Sequence, residues 1–253
     1  MDSDEFPRQI PLGSRIVVWN EKEIEQWENL SRRHDDMEIL FEFAEAGEAD
    51  LSEIHNELEN YKSIIDEIEI SKTVREDWSV DGVKRPVLIA ASTHEIEEEI
   101  VLEAFKEVIK QYPYTLLILV PRHLERFKKV KNIVKNSGLQ FALRSKKTNI
   151  TNITQVLLGD TIGELNFLYS LADVAFVGGS LIDHGGQNLL EPSAQSLPLL
   201  SGPSLRNFLD ISEQLKQNEG LKIVNNSREL SDRFMEYIAD DQEMERAGNN
   251  AFE

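Results

Sequence analysis

From residue 87 to residue 224 the chain repeats one unit, a short continuous apolar run followed by a polar turn and a stretch of helical period. The runs are Val87 to Ala91, Thr115 to Val120, Gln140 to Leu143, Gln155 to Gly159, Val174 to Val177, Pro198 to Ser201 and Leu221 to Val224. They are too short for helices and lack the polar alternation of a half-exposed strand, so they read as strands buried on both faces. Between them lie helical stretches: one with Val101, Ala104, Phe105 and Val108 on a single face, a basic one from Leu124 to Ser137 stopped by Gly138, then Leu165 to Ala172, Leu189 to Leu197, Leu209 to Gln217 and one starting at Ser227. Strands joined by helices pair in parallel through right-handed crossovers. The expected fold is therefore α/β, a Rossmann-like parallel sheet with helices on both faces.

The chain ahead of this repeat has another character. Residues 1–85 hold 10 Lys and Arg against 23 Asp and Glu, a net of −13, which leaves −6 of the total −19 for residues 86–253. Residues 1–20, with Pro7, Pro11 and Gly13, read as a flexible lead. Ile24, Trp27, Leu30, His34, Met37, Phe41 and Ala44 then form a helical stripe, and Leu51, Ile54, Leu58, Tyr61, Ile65 and Ile68 a heptad seam, with Gly47 between them. The expectation is an acidic α-helical hairpin of coiled-coil type over 21–72, a linker over 73–85, and a Rossmann-like nucleotide-sugar-binding domain over 86–253.

Composition excludes several classes. The net charge argues against nucleic acid as a partner, because neutralising phosphates takes clustered Lys and Arg. There are no cysteines, so thiolate metal sites and a cysteine nucleophile are excluded. No apolar run reaches the length of a membrane span, and the acidic N-terminus lacks the features of a secretory signal, so a cytoplasmic location is expected.

In a parallel sheet of this kind the ligand crevice lies outside the carboxyl ends of the strands. Every polar motif follows such an end: Ser92-Thr-His, Pro121-Arg-His, Gly159-Asp-Thr-Ile-Gly-Glu164, Gly178-Gly-Ser180 with Gly185-Gly-Gln-Asn188, and Ser201-Gly-Pro203. They are expected to converge on one crevice. Plainer readings stand beside this one. Ser92 to Glu95, Thr161 to Glu164 and Asn188 to Glu191 all have capping-box spacing. Arg122 is placed to hold a phosphate or else pairs with one of many surface carboxylates. Asn188 and Glu191 suit ribose hydroxyls. His94, His123 and His184 show no metal-ligand pairing and read as surface histidines. No Gly-x-Gly-x-x-Gly follows the first strand and no Gly-x-x-x-x-Gly-Lys occurs, which argues against dinucleotide dehydrogenases and P-loop NTPases. What remains fits a nucleotide-sugar site that uses no metal or cofactor.

Five motifs in order, Ile89-Ala-Ala-Ser-Thr-His-Glu-Ile-Glu-Glu-Glu99, Leu119-Val-Pro-Arg-His123, Leu157 to Leu165, Ala172 to Ser180 and Gly185-Gly-Gln-Asn-Leu-Leu-Glu-Pro192, resemble the C-terminal, donor-binding half of bacterial 3-deoxy-D-manno-octulosonic acid (Kdo) transferases. These are GT-B glycosyltransferases of lipopolysaccharide inner-core biosynthesis. The resemblance implies a CMP-Kdo or CMP ligand, a lipid A precursor as acceptor, and action at the cytoplasmic face of the inner membrane, with contact to the membrane surface. It places Arg122 on the phosphate and Ser92, Thr93, Gly178, Gly179 and Ser180 near phosphate or sugar. It places Asn188 and Glu191 on the ribose and Gly163 along the base. The family usually has His at Gln187, Pro at Leu189 and often Met at Ile162. It carries its catalytic general base and membrane anchor on a separate N-terminal domain, so no catalytic residue is assigned here, and little transfer by this chain alone is expected.

Two other functions stay open at this level: a different GT-B activity such as a UDP-sugar transferase or epimerase, and a non-catalytic interaction protein working through its helical arm. Residues 17–70 resemble the N-terminal helical region of bacterial peptide chain release factors. The Gly185-Gly186-Gln187 tripeptide that such factors use runs here into a helix start, without a basic surround or a codon-reading domain.

Overall fold

The structure is a computed structural model that describes residues 69–147 and 149–253. The lead, the hairpin with its heptad seam and the release-factor resemblance, apart from its last residues, lie outside the described residues. The strands are β1 (Val87–Thr93), β2 (Leu116–Pro121), β3 (Phe141–Leu143), β4 (Val156–Leu158), β5 (Val174–Val177), β6 (Leu199–Ser201) and β7 (Leu221–Ile223). The helices between them are α1 (Glu97–Gln111), α2 (Phe127–Asn136), α3 (Leu165–Ser170), α4 (Leu190–Ser193), α5 (Leu209–Gln217), α6 (Ser227–Ala239) and α7 (Asp241–Phe252). Each apolar run became a strand, within a residue or two at its ends.

The seven strands form one sheet in the order β3-β4-β2-β1-β5-β6-β7, and every pairing is parallel. Starting from the central β1, the chain builds one side of the sheet and then returns to add β5 on the other. The strand order therefore reverses between β1 and β5, and a crevice opens at their carboxyl ends.

Alternate residues of each strand feed two cores. Leu88, Ala90, Leu117, Leu119 and Phe176 face Phe105, Val108, Val134 and Phe234 of α1, α2 and α6, whereas Val87, Ile89, Ile118, Ala175 and Val177 face Leu168, Tyr169, Leu189 and Leu215 on the opposite side. Burial on both faces is why the runs are continuously apolar.

Two expectations need correction. The segment over Leu189 to Leu197 is one helical turn, Leu190–Ser193, and not a full helix. Pro192 and the left-handed Ser196 (φ 51°) mark where the helical path ends. The stretch 73–85, expected as a linker, is helical to residue 77 and packed on the domain, with Trp78 inside the second core. Arg75 donates to both carboxylate oxygens of Asp173 and to the carbonyls of Leu171 and Arg85. Asp173 in turn accepts from the Val87 N–H, so the pair holds the amino end of the central strand.

Arg85 is the firmer anchor. Its guanidinium is 2% exposed and donates to the carbonyls of Tyr114, Thr115, Thr151 and Thr154, which ties the segment ahead of β1 to the starts of β2 and β4. No carboxylate among the described residues balances it. Burial, and then the Arg75 charge, lowers its pKa to about 10. Replacing Arg85 by Met removes four donors from buried or half-buried carbonyls while keeping much of the volume. We expect Arg85→Met to lower unfolding stability by about 3 kcal/mol in denaturant titration.

Candidate functional site

The loop after β1 leaves the sheet through a kink. Register slips between Ala91 and Thr93, and Ser92 takes a left-handed φ of 54°. The glycine loop after β5 packs directly on this kink. A Cβ on Gly178 would stand 2.7 Å from both the Ser92 carbonyl oxygen and the Thr93 Cα, so only glycine fits this approach. Gly179 follows with φ 66° and turns the chain. Its next amides run inward, toward the start of α1.

There they meet Glu97. Its fully buried carboxylate accepts N–H groups from Gly179 (2.7 Å), Ser180 (2.9 Å), Leu181 (2.9 Å) and His94 (2.9 Å). Glu98, also buried, pairs with Arg126 (2.8 Å) and accepts from the Thr93 hydroxyl (3.4 Å). Burial raises the Glu98 pKa and the Arg126 hydrogen bond opposes the shift.

These contacts revise several expected roles. The amides of Gly179 and Ser180 are taken by the chain's own carboxylate, and the Gly178 N–H donates to Ala91 in the sheet. Ser180 is fully buried, with its hydroxyl donating to the Val177 carbonyl and accepting from the Gly202 N–H. Thr93 is fully buried as well. Thr93, Gly178, Gly179 and Ser180 thus build the wall of the crevice from inside. Ser92 lies at the same kink and is 7% exposed.

The first two capping boxes are also absent as such. Glu95 pairs with Lys129, and α1 opens on Ile96 with no side-chain cap. Glu164 is held by Arg144 (2.7 Å), whose hydrogen bond lowers its pKa. Asp160 takes the N–H and hydroxyl of Ser145, so the β4 loop is tied to the end of β3. Gly163 (φ 76°) and Ile162 stand exposed at the tip of that loop.

Arg122 and the Asn188–Glu191 pair remain open to a ligand. The Arg122 N–H donates to the Thr93 carbonyl, which brings the ends of β1 and β2 together. Its exposed side chain makes no hydrogen bond or ion pair among the described residues, although acids far outnumber bases. Among the described residues, then, no surface carboxylate pairs with Arg122. Asn188 accepts from the Leu190 N–H and donates to Glu191 Oε1 at 3.0 Å, leaving Glu191 Oε2 for another donor. Glu191 also lies against the buried Tyr169, whose pKa is raised by burial and then by this charge.

The three histidines read as separate surface residues come together. His94 and His184 stack with centroids 4.4 Å apart, His123 meets His94 edge-on at 5.4 Å, and Gln187 Nε2 lies 3.1 Å from His94 Nε2. No group of acids and histidines suited to a metal ion occurs among the described residues. The sequence did carry a signal for Glu97. Extending the stripe Val101, Ala104, Phe105 and Val108 back by one turn lands on it, which puts a carboxylate on a buried face.

An all-parallel sheet covered on both faces, with polar loops gathered at the switch point, is a GT-B-like Rossmann fold. The crystal structure of the C-terminal CMP-Kdo binding domain of WaaA from Acinetobacter baumannii matches with TM-score 0.69 and 33% identity, covering 74% of this chain and 96% of that domain. The 3-deoxy-D-manno-octulosonic acid transferase of Haemophilus influenzae is 42% identical over 182 residues, 72% of this chain and 42% of that protein. The chain belongs to the 3-deoxy-D-manno-octulosonic acid transferase family. It spans less than half the length of the curated relatives it matches. The fold extends further, to the UDP-GlcNAc 2-epimerase of Neisseria meningitidis (TM-score 0.50, 17% identity, 79% of this chain and 47% of that one). Residues 1–32, outside the described part, match the profile of the prophage CP4-57 regulatory protein (AlpA).

The Glu97 cluster is testable by itself. An amide in place of this carboxylate turns an NH2 group toward N–H donors and leaves buried amides unpaired. Glu97→Gln is expected to cost about 2–4 kcal/mol of unfolding free energy, read by denaturant titration.

Proposed function

We propose that residues 86–253 form the domain that binds CMP-Kdo, or CMP as its product, and that the protein takes part in moving Kdo to a lipid A precursor at the cytoplasmic face of the inner membrane. The observation that carries this reading is the likeness, at 33% identity over 96% of its length, to a domain whose name is CMP-Kdo binding. Base and sugar identity come from that likeness. The geometry supplies compatible groups.

Arg122, whose guanidinium has no partner among the described residues, is offered to the phosphate, and one phosphate needs one such bidentate partner. Glu191, oriented by Asn188, offers an oxygen to the ribose hydroxyls. Ser92 and the Gly163 tip line the two sides. Thr93, Gly178, Gly179 and Ser180 act through the frame they build. As CMP leaves, charge grows on its phosphate, where Arg122 stabilises it.

Four carboxylates near the strand ends are engaged: Glu97 with four amides, Glu98 with Arg126, Glu164 with Arg144 and Asp183 with Arg206. A general base must reach the acceptor hydroxyl directly or through one water. We assign that role to the acceptor side of the cleft, and we expect this chain by itself to bind donor and transfer little. No described helix is long and apolar enough to cross a membrane.

Calorimetric titration with CMP, with UMP and UDP as controls, tests the reading. CMP should bind selectively, and Glu191→Ala should weaken it by about 1.5–3 kcal/mol, roughly 10- to 150-fold. Preference for UMP or UDP would move the chain to another GT-B activity. A folded chain that binds no nucleotide would sink the donor reading and turn attention to the acidic N-terminal segment.

A further inference from the structure

His94, His123 and His184 stand at the ends of three different strands, β1, β2 and β5, yet their rings touch. Two of them are sequence neighbours of residues named above for the phosphate side of the site. His94 follows Thr93, whose carbonyl holds the Arg122 N–H, and His123 follows Arg122 itself. We propose that these three histidines are a proton-linked part of the anion site: the cluster takes up one proton as the donor phosphate enters, so binding tightens as pH falls. This rests on the donor reading and deepens it.

The geometry sets both the resting state and the change. His94 is 8% exposed, while His123 and His184 are exposed. Two imidazoles stacked at 4.4 Å resist a second proton, because like charges would lie face to face. The groups facing His94 have mixed effects. Burial lowers its pKa most, the His184 ring lowers it next, Glu97 raises it, and His123 and Arg126 lower it again. Glu97 is already engaged by four amides and Arg126 by Glu98, so neither is free to pair with a new charge.

An anion held where the loops of β1 and β2 meet changes the balance, because those loops also carry His94 and His123. It favours the protonated form, and the ligand-bound state then holds more protons than the free state. By linkage, affinity rises as pH falls through the window between the two pKa values and is flat above it. Gln187 allows the change without strain. Its amide donates to the Nε2 of a neutral His94 and, turned over, accepts from a protonated one.

The full chain is titrated with CMP between pH 6.5 and 8.5, in buffers of differing ionisation enthalpy. Wild type should bind about tenfold tighter per pH unit lowered where one proton is linked, beyond the change due to CMP's own phosphate. That ligand contribution is common to every variant. His94→Gln should lose the excess. His184→Asn, an exposed change, should move the window upward, since the neighbour opposing a charge on His94 is gone. NMR titration of the histidine rings in the ligand-free chain, which has five histidines, is the second readout, and His94 should titrate higher in His184→Asn than in wild type. CMP binding with no uptake beyond the ligand's own, or with the same uptake in His94→Gln, overturns the proton linkage and leaves the donor reading intact. No CMP binding by a folded chain overturns both.

Discussion

Four backbone N–H groups, from His94, Gly179, Ser180 and Leu181, converge on the carboxylate of Glu97, and the shape of the crevice depends on that convergence. A glycine-rich turn between a strand and the next segment is a common cradle for phosphate, because its amides point one way and no side chain blocks them. Here the anion in the cradle is the protein's own. The arrangement joins the loop after β1, the first turn of α1 and the loop after β5 in one buried contact. Hydrogen bonds to a charged acceptor contribute roughly 1.5–3 kcal/mol each, while leaving a buried amide unpaired costs a similar amount. The contact is therefore worth keeping only as a whole.

A donor phosphate must consequently be held by other groups. With a net charge of −6 over residues 86–253, an incoming anion meets a repulsive field, so local positive charge decides whether it binds. Most cations near the strand ends are committed: Arg126 to Glu98, Arg144 to Glu164, Arg206 to Asp183 and Lys129 to Glu95. Arg122 is left, brought beside β1 by its own backbone N–H. The sheet topology explains why it stands there. β1 lies between β2 and β5, so the loops of those three strands are the ones that can meet at the reversal of strand order.

The fold was legible because a strand buried on both faces has only one kind of sequence. Val87 to Ala91 and Val174 to Val177 could be little else, and the helical stretches between them required parallel crossovers. The convergence of loops followed from the same reasoning, and the bonds among the loops of β1, β2, β5 and β6 bear it out, while the β4 loop bonds to the end of β3 instead. Individual roles were harder to read. Thr93 and Ser180 belong to motifs that look polar and exposed, yet a β-bulge and a tight turn carry both inward, and neither is visible in composition. Glu97 sat in a run of three glutamates, Glu97 to Glu99, that resembles the acidic first turn favoured by the helix dipole. Only its phase with Val101 and Phe105 separates it from Glu99. Residues 73–85 read as a linker because the change of charge falls near residue 85, whereas Arg75 and Arg85 are spent on backbone carbonyls or on Asp173.

The histidines show most clearly what a one-dimensional reading loses. His94 and His184 are 90 positions apart in sequence, but their rings stack at 4.4 Å because β1 and β5 are neighbours. Their loops leave the same edge of the sheet. Read singly, each is an ordinary surface imidazole. Together they form one cluster of stacked and edge-on rings where the loops of β1, β2 and β5 meet. A guanidinium offers a phosphate a fixed charge. A neighbouring cluster that charges only when an anion is present adds attraction to the bound state without adding it to the empty crevice. Gln187 stands at the edge of the three rings. It also gives His94 a partner able to follow a change of protonation by turning its amide.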